Sequence, residues 1–404
     1  LDSTRRFALD HLSEAGEEHA ARDRHAIFMA EHFARSVVLW EQMPDEKWDA
    51  TYLPDSDNLR AALAWTKSQS DHDRYVELAA GSSRYFLQAG LGAEGLETIE
   101  SAMELAPAVS AEARARIGLA LGEICRLSAM DIRAREALIP ALDWFRQSSD
   151  KTRYYQTLVL LAWVTVFFRP MEEAGPLLAE IREVLSAMPT SKIKAWALTG
   201  TGVTMWSEGE TEAGFARYQA GFAMHVETGN PRGRFRSAMN FGEILHKGGD
   251  TKNAIRVAEE VLPDLRREGP RLQLANQLGN IAAYRYWLDD AAGGNAAHAE
   301  CAQLIPRDDS YWYVCFVQNG AERLYWLGEH ASAALILGIV DNIIRNWPDG
   351  RQATEQMQRD RLGERLAGAL GKPEYERLLA QGETLDLADA EQLSRSNAAS
   401  VAGQ

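Results

Sequence analysis

Small residues and chain breaks recur along this sequence with a common spacing of roughly 40 residues, a period typical of helical repeat proteins. Stepping by this spacing from Gly242 and from Ala254 reaches a small residue each time, in both directions. The first series is Ser83, Gly122, Ala162, Gly202, Gly242, Ala282 and Ala321, and the second is Gly95, Ala134, Ala174, Gly214, Ala254, Gly294 and Ala333. Because glycine inside a helix costs roughly 1 kcal/mol relative to alanine, its recurrence indicates closely packed helix pairs.

A chain break lies between the two series in every repeat. The breaks fall near Gly90, Met130, Pro170, Gly209, Gly249, Asp289 and Gly328. A small residue in a first helix, a turn and a small residue in a second helix form the pattern of tetratricopeptide (TPR) repeats, whose usual period is ~34 residues. We therefore predict an all-α, TPR-like α-solenoid, a right-handed superhelix of about seven helix pairs.

Three parts of the chain follow from this pattern. Residues 1–70 form a helical lead-in, 71–348 the superhelix, and 349–404 a helical cap with a tail predicted to be disordered from Ser394. The predicted pairs are 73–89 with 92–105, 110–128 with 131–147, 151–168 with 171–187, 191–207 with 211–227, 232–247 with 251–267, 270–288 with 290–304, and 309–327 with 330–347. The cap is predicted as helices over 351–370, 373–380 and 387–393. In the lead-in, Asp57 is predicted to cap a helix over 58–65.

Composition and missing motifs exclude several classes of function. The formal net charge of -15 disfavours direct binding to nucleic acid. Three cysteines, an odd and sparse set, indicate reduced thiols in a cytoplasmic protein. The sequence contains no signal peptide, membrane-spanning run, P-loop, nucleophile elbow or H-E-x-x-H motif. We therefore expect no catalytic residue, metal or cofactor in this chain.

The repeat register also selects residues for a concave groove. In each repeat, the small residue equivalent to Gly242 serves as the reference position. The residues six and three positions before it, and those one and four positions after it, should face the groove. Its central set comprises Trp163, Trp196, Trp206, Arg236, Glu243, His246, Asn276 and Tyr286. Aromatic walls with a few polar groups are typical of a site for a small molecule or a peptide. The alternative is that these aromatic residues fill the axis of a tightly wound superhelix, since large apolar residues in helices usually belong to the core.

Both ends of the chain resemble one family of regulators. Residues 1–17 (LDSTRRFALDHLSEAGE) and 57–65 (DNLRAALAW) are similar to the segment after the ATPase module of bacterial STAND-type transcriptional regulators. These regulators carry a winged-helix or LuxR-type DNA-binding domain. Residues 334–338 (ALILG), Leu370-Gly371 and 382–390 (GETLDLADA) are similar to that family's terminal motif.

The resemblance implies a non-catalytic sensor and scaffold domain that binds an effector or partner. Its partners would include the upstream ATPase and DNA-binding domains, which lie outside this sequence. The alternative is a free-standing TPR adaptor that binds a peptide or protein in its concave groove. The sequence leaves the effector's identity and self-association into a homo-oligomer open.

Overall fold

The computed structural model describes residues 2–127, 130–168, 171–307, 310–347 and 350–396, and these ranges contain helices and no strand. The helices are α1 Asp2–Glu14, α2 Glu18–Trp40, α3 Asp45–Tyr52, α4 Ser56–Ser68, α5 His72–Gly81, α6 Ser83–Gln88, α7 Gly92–Glu104, α8 Ala111–Leu127, α9 Asp131–Gln147, α10 Lys151–Phe168, α11 Met171–Val184, α12 Lys192–Ser207, α13 Thr211–Glu227, α14 Pro231–Lys247, α15 Thr251–Glu260, α16 Leu262–Glu268, α17 Arg271–Trp287, α18 Ala291–Ala302, α19 Tyr311–Trp326, α20 His330–Arg345, α21 Ala353–Leu370, α22 Lys372–Gly382 and α23 Leu387–Ser396. Short 3-10 turns cover Leu53–Asp55 and Ala106–Ala108. Within the described ranges, no helix combines the length and apolar character needed to cross a bilayer.

The predicted turns share one backbone geometry. Gly90, Gly209, Gly249, Asp289 and Gly328 all adopt positive φ, between +62° and +90°. After each of them, an amide donates a hydrogen bond to the carbonyl five residues earlier, as Asp250 does to Leu245 at 2.8 Å. This bond satisfies a carbonyl at the end of the first helix, and it is the Schellman arrangement that glycine favours. The turn positions are confirmed at these five places, whereas the break at Pro170 lies outside the described residues.

The small-residue series marks close helix contacts. A Cβ atom on Gly202 would lie 2.7 Å from the Gly214 carbonyl oxygen, and one on Gly214 would lie equally close to that of Gly202. At Gly122 a Cβ atom would lie 2.5 Å from the Leu138 side chain. Glycine therefore permits the first and second helices of these pairs to approach, as the sequence indicates.

Several helix boundaries differ from the prediction. The first helix of the first pair is interrupted at Ser82, and the second helix of the fifth pair is interrupted at Val261, ahead of Pro263. Helix α4 begins at Ser56, so Asp57 lies inside its first turn and the predicted cap at Asp57 is wrong. The sequence also misses α3 entirely, because eight residues are too few to show a clear apolar period. Helix α23 continues through Ser394 to Ser396, where a disordered tail is expected from the sequence.

The chain divides into two compact units. Unit 1 comprises Leu1–Thr201 and Ala223–Asn230, and unit 2 comprises Gly202–Phe222 and Pro231–Gln404. The division into a lead-in, a superhelix and a cap stays a prediction, as does the right-handed winding.

Candidate functional site

In unit 2, helix α21 lies across the first helices of three successive pairs, α14, α17 and α19. The surface that it covers is called here the first-helix surface, and it is formed by Glu243, His246, Trp287, Asp289, Gln318 and Glu322. Beside α14, the Thr354 hydroxyl lies 3.2 Å from the Glu243 carboxylate, and the Gln358 amide lies 3.5 Å from the His246 ring. These contacts bring together residues more than a hundred positions apart in the sequence.

The same helix continues over α17 and α19. Arg361 donates a hydrogen bond to Asp289 at 2.9 Å, and Arg365 donates to the same carboxylate oxygen at 2.5 Å. Arg361 also donates to the carbonyl of Trp287. On α19, the Gln318 amide donates to the backbone carbonyl of Glu355 at 2.9 Å. Helix α21 therefore has polar contacts with all three first helices.

The spacing of residues in α21 explains this arrangement. Thr354, Gln358, Arg361 and Arg365 follow one another at intervals of four, three and four residues, so they share one helix face. Leu362 and Leu366 are fully buried. The helix ends before Gly371, whose φ of +80° lets the chain turn into α22.

Aromatic rings lie beneath both arginines of α21. The Arg361 guanidinium is 4.6 Å from the centre of the Trp287 ring, and that of Arg365 is 5.3 Å from the Trp326 ring. Cations within about 6 Å of an aromatic ring are attracted by its electron-rich face. The first-helix surface thus presents both carboxylates and aromatic faces to arginine side chains.

A narrow cavity of about 30 Å³ lies under the start of α21. Its walls are Glu243, Ala275, Asn276, Gly279, Asn280, Ala283, Tyr284, Cys301, Ile305, Trp312, Cys315, Phe316, Asn319, Thr354, Glu355 and Gln358. A water molecule needs roughly 10–15 Å³ of such space, whereas ligand pockets usually measure about 300–1,000 Å³. With α21 in place, this cavity has room for about two waters and not for a larger ligand.

Burial sets the protonation of three groups on α21 and on the surface beneath it. Desolvation raises the pKa of Glu355, although Thr354 and Arg351 oppose the shift. The pKa of His246 falls to about 4, chiefly because the ring is buried, so the ring is neutral near pH 7. Glu322 is only 6% exposed, and burial raises its pKa to about 7 against the lowering effect of Arg365 and Arg361. The surface under α21 therefore includes a carboxyl group that titrates near neutral pH.

The eight residues predicted for the groove occupy different environments. Six belong to unit 2, and Trp163 and Trp196 belong to unit 1. Glu243 and His246 contact α21, and Asn276 lines the cavity beside Glu243. Arg236 is half-buried on α14, and the Trp206 ring lies against the turn at Gly248.

Tyr286 lies in the core rather than on the first-helix surface. It is 1% exposed, its ring lies against Gly294, and its hydroxyl donates to Asn295 at 2.9 Å. In unit 1, Trp163 and Trp196 pack edge to face at 5.7 Å between ring centres, and Trp163 donates to the Trp196 carbonyl at 3.3 Å. A ligand-binding role for the eight residues stays a prediction.

Unit 1 contains a different arrangement, in which the segment after α2 is held by α10 and α12. The Glu41 carboxylate accepts hydrogen bonds from the Gln156 amide and from the Ile193 backbone amide, both at 2.8 Å. Lys192 pairs with Asp45 at 2.5 Å, and its ammonium group lies 4.3 Å from the centre of the Trp40 ring. Desolvation raises the pKa of Glu41 and lowers that of Lys192.

Sequence reasoning missed the docking of α21 and the buried Lys192 pair. Arg361 and Arg365 could have indicated the docking of α21. Two cations one turn apart on a partly apolar helix favour an acidic surface as the neighbour. Lys192 and Lys194 are the two charged residues of α12, so the sequence does not show which of them is buried. Neither pattern identifies the acidic partner. Asp289 lies 76 residues from Arg365 in the sequence, and Asp45 lies 147 residues from Lys192.

Comparisons with known proteins concern the fold. No family model and no curated protein sequence matches the chain. The apo form of the quorum sensor NprR from B. thuringiensis is similar over 88% of this chain and 97% of its own, with a TM-score of 0.50 and 10% identity. A Rap protein in complex with competence and sporulation factor is similar over 90% of this chain and 96% of its own, with a TM-score of 0.50 and 14% identity.

A further structure, NprR in complex with its cognate peptide NprX, has a TM-score of 0.48 and 12% identity over 84% of this chain and 82% of its own. At these identities, the likeness establishes a fold and no activity. The fold class is confirmed: the chain is an all-α, TPR-like helical repeat protein.

Proposed function

We propose that this chain is a non-catalytic sensor domain that binds a peptide effector on the first-helix surface of unit 2. The observation that carries the proposal is the position of α21, an amphipathic helix that lies across α14, α17 and α19 with polar contacts to each and with Leu362 and Leu366 buried. Helices that lie in the groove of another protein use residues at this spacing. A surface that accommodates one such helix has the contacts needed to accommodate another.

Two further observations favour a peptide over a small molecule. The cavity beneath α21 is far smaller than an ordinary ligand pocket, whereas the surface around it extends over three helix pairs. The Rap protein that resembles this chain in fold is in complex with competence and sporulation factor. Together they support the alternative of a peptide-binding repeat domain.

Selection from a displayed peptide library tests the binding role. The full chain should enrich specific peptides from the library. Their affinity for the double variant Glu243→Gln, Asp289→Asn should be at least tenfold lower, since both changes remove charge from the first-helix surface. The matched control is Glu212→Gln, which alters an exposed glutamate at the start of α13. The proposal fails if no peptide is enriched, or if both variants bind as the unmodified chain does.

The wider context we propose is a STAND-type regulator in the cytoplasm, with the ATPase and DNA-binding modules upstream. Its support lies in the residues that carry the resemblance. Gly338 and Gly382 belong to the two parts of the terminal motif, and they meet where α20 crosses α22. A Cβ atom on Gly338 would lie 2.2 Å from the Leu379 carbonyl oxygen, and one on Gly382 would lie 2.2 Å from that of Leu335.

The gene that encodes the chain decides this context. A P-loop and a winged-helix or LuxR-type domain upstream in the same reading frame would support it. A reading frame without either module would leave the free-standing adaptor as the proposal.

A further inference from the structure

One turn in unit 2 departs from its counterparts in a way that serves α21. Gly90, Gly209, Gly249 and Gly328 occupy the positive-φ position of the other turns, but Asp289 occupies it between α17 and α18, with φ of +62°. A side chain is disfavoured in this conformation, although aspartate tolerates it better than most residues. The aspartate places a carboxylate where two arginines of α21 converge.

The charges on the two partners are complementary. Asp289 accepts from both Arg361 and Arg365, whereas Glu243 accepts from the uncharged Thr354. Asp341 of α20 accepts a hydrogen bond from Arg359, a third arginine of α21, at 2.5 Å. Trp287 and Trp326 add aromatic faces beneath the guanidinium groups. The chemistry of this surface selects a cationic helix.

The two ion pairs between α21 and Asp289 are partly accessible to solvent, whereas Leu362 and Leu366 of the same helix are fully buried. The Arg365–Asp289 pair has side-chain exposures of 21% and 57%, and the Arg361–Asp289 pair has 24% and 57%. Exposed ion pairs of this kind contribute little individually. A competing peptide therefore has two weak ion pairs to replace, and it must also supply apolar side chains at the positions of Leu362 and Leu366.

We propose that α21 is an intramolecular occupant of the first-helix surface, and that the effector of this chain is a cationic helical peptide that displaces it. This proposal rests on the peptide-binding function proposed above. It further specifies that the peptide is cationic and that α21 is the segment that the peptide must displace. Binding of effector and docking of α21 are mutually exclusive in this scheme, so release of α21 is the signal.

The first arm of the test uses a labelled synthetic peptide with the sequence of residues 351–370, RQATEQMQRDRLGERLAGAL. The full chain carrying Arg361→Ala and Arg365→Ala keeps an acidic surface but holds its own helix less firmly. It should bind the peptide at least tenfold more tightly than the unmodified chain does. A peptide with both arginines replaced by glutamate should not bind to either protein.

The matched control is Arg377→Ala, which removes an exposed arginine of α22 that pairs with Glu374 on its own helix. It should bind the peptide as weakly as the unmodified chain. Equal affinity of the unmodified chain, the double variant and this control would overturn the proposal.

The second arm uses Asp289→Gly, which places at this turn the residue found at its counterparts. The turn should therefore fold, while α21 loses its acceptor. Hydrogen exchange of the α21 amides should accelerate at least tenfold, with no change in α15 or α18. Unchanged exchange in α21 would overturn the proposal even if the arginine variant failed to fold.

The outcomes also separate this proposal from the peptide-binding function. If library-selected peptides bind the full chain without altering exchange in α21, the sensor function stands and the displacement is wrong. If neither a selected peptide nor the 351–370 peptide binds any folded variant, both proposals are wrong.

Discussion

The two units each hold a segment of chain against their first helices, but they do so with different chemistry. In unit 1, Lys192 and Asp45 are 0% and 5% exposed, and Glu41 is 3% exposed with hydrogen bonds to two partners. In unit 2, Arg365 and Asp289 are 21% and 57% exposed. Removing one partner of a buried ion pair leaves an uncompensated charge, whereas exposed pairs are screened by water. The comparison predicts that the Lys192–Asp45 pair in unit 1 is a stronger anchor than the Asp289 ion pairs in unit 2.

The largest effect should come from Lys192→Met, which leaves Asp45 buried without its cation. We expect the free energy of unfolding to fall by about 3–5 kcal/mol. Urea denaturation followed by circular dichroism measures the loss. Lys47→Met, at an exposed position in the same segment, should change stability by less than about 0.5 kcal/mol. Similar small losses in both variants would show that the anchor in unit 1 is no stronger than the contacts of α21.

The second effect concerns pH and Glu322. Burial raises the pKa of Glu322 from 4.5 to about 7 in the folded chain. Between these values the folded state holds a proton that the unfolded state releases, so the free energy of unfolding falls as pH rises through this window. The loss is up to about 3 kcal/mol by the linkage relation.

Urea denaturation at pH 4.5 and pH 8 checks this expectation. Glu322→Gln should remove this part of the pH dependence and make the chain more stable than the unmodified protein at pH 8. The exposed Glu212→Gln should retain the full dependence. A pH profile identical in all three proteins would mean that Glu322 is solvated in the folded state.

A smaller effect is expected from Arg361→Ala alone. Its ion pair with Asp289 is partly exposed, so global stability should fall by about 1 kcal/mol or less. Hydrogen exchange of the α21 amides should nevertheless accelerate, because α21 has lost one of its two ion pairs with Asp289. Thermal unfolding and hydrogen exchange measure the two quantities separately. A loss above about 3 kcal/mol would place α21 among the permanent elements, with the Lys192 anchor.

The smallest effect is a difference in how amide exchange in the two segments responds to salt. Raising ionic strength from 0.1 to 1 M shortens the screening length from about 10 Å to about 3 Å, and buried pairs are screened much less. We expect faster amide exchange in α21 and no change in α3, the helix that begins at Asp45. Equal acceleration in both helices, or in neither, would show that the ion pairs of the two segments are screened to the same extent.

The sequence alone predicted the features that depend on local backbone chemistry. The small residues required for close helix contact recur in phase, and the residues at the turns adopt positive φ at Gly90, Gly209, Gly249, Asp289 and Gly328. Local steric rules decide these positions, because each turn involves only a few consecutive residues. The register also assigned Glu243 and His246 to one face of their helix, since residues three and four apart share a helix face, and both residues contact α21.

The tertiary structure decided what lies on that surface. Helix α21 was predicted as a helix, but its place across α14, α17 and α19 depends on contacts with residues 37 to 112 positions away. Tyr286 shares its repeat position with His246, yet it packs against Gly294 in the core because α17 and α18 approach closely there. Periodicity states which residues share a face of a helix. Which partner covers that face is settled only when distant segments compete for it through burial and charge, and no local pattern records that outcome.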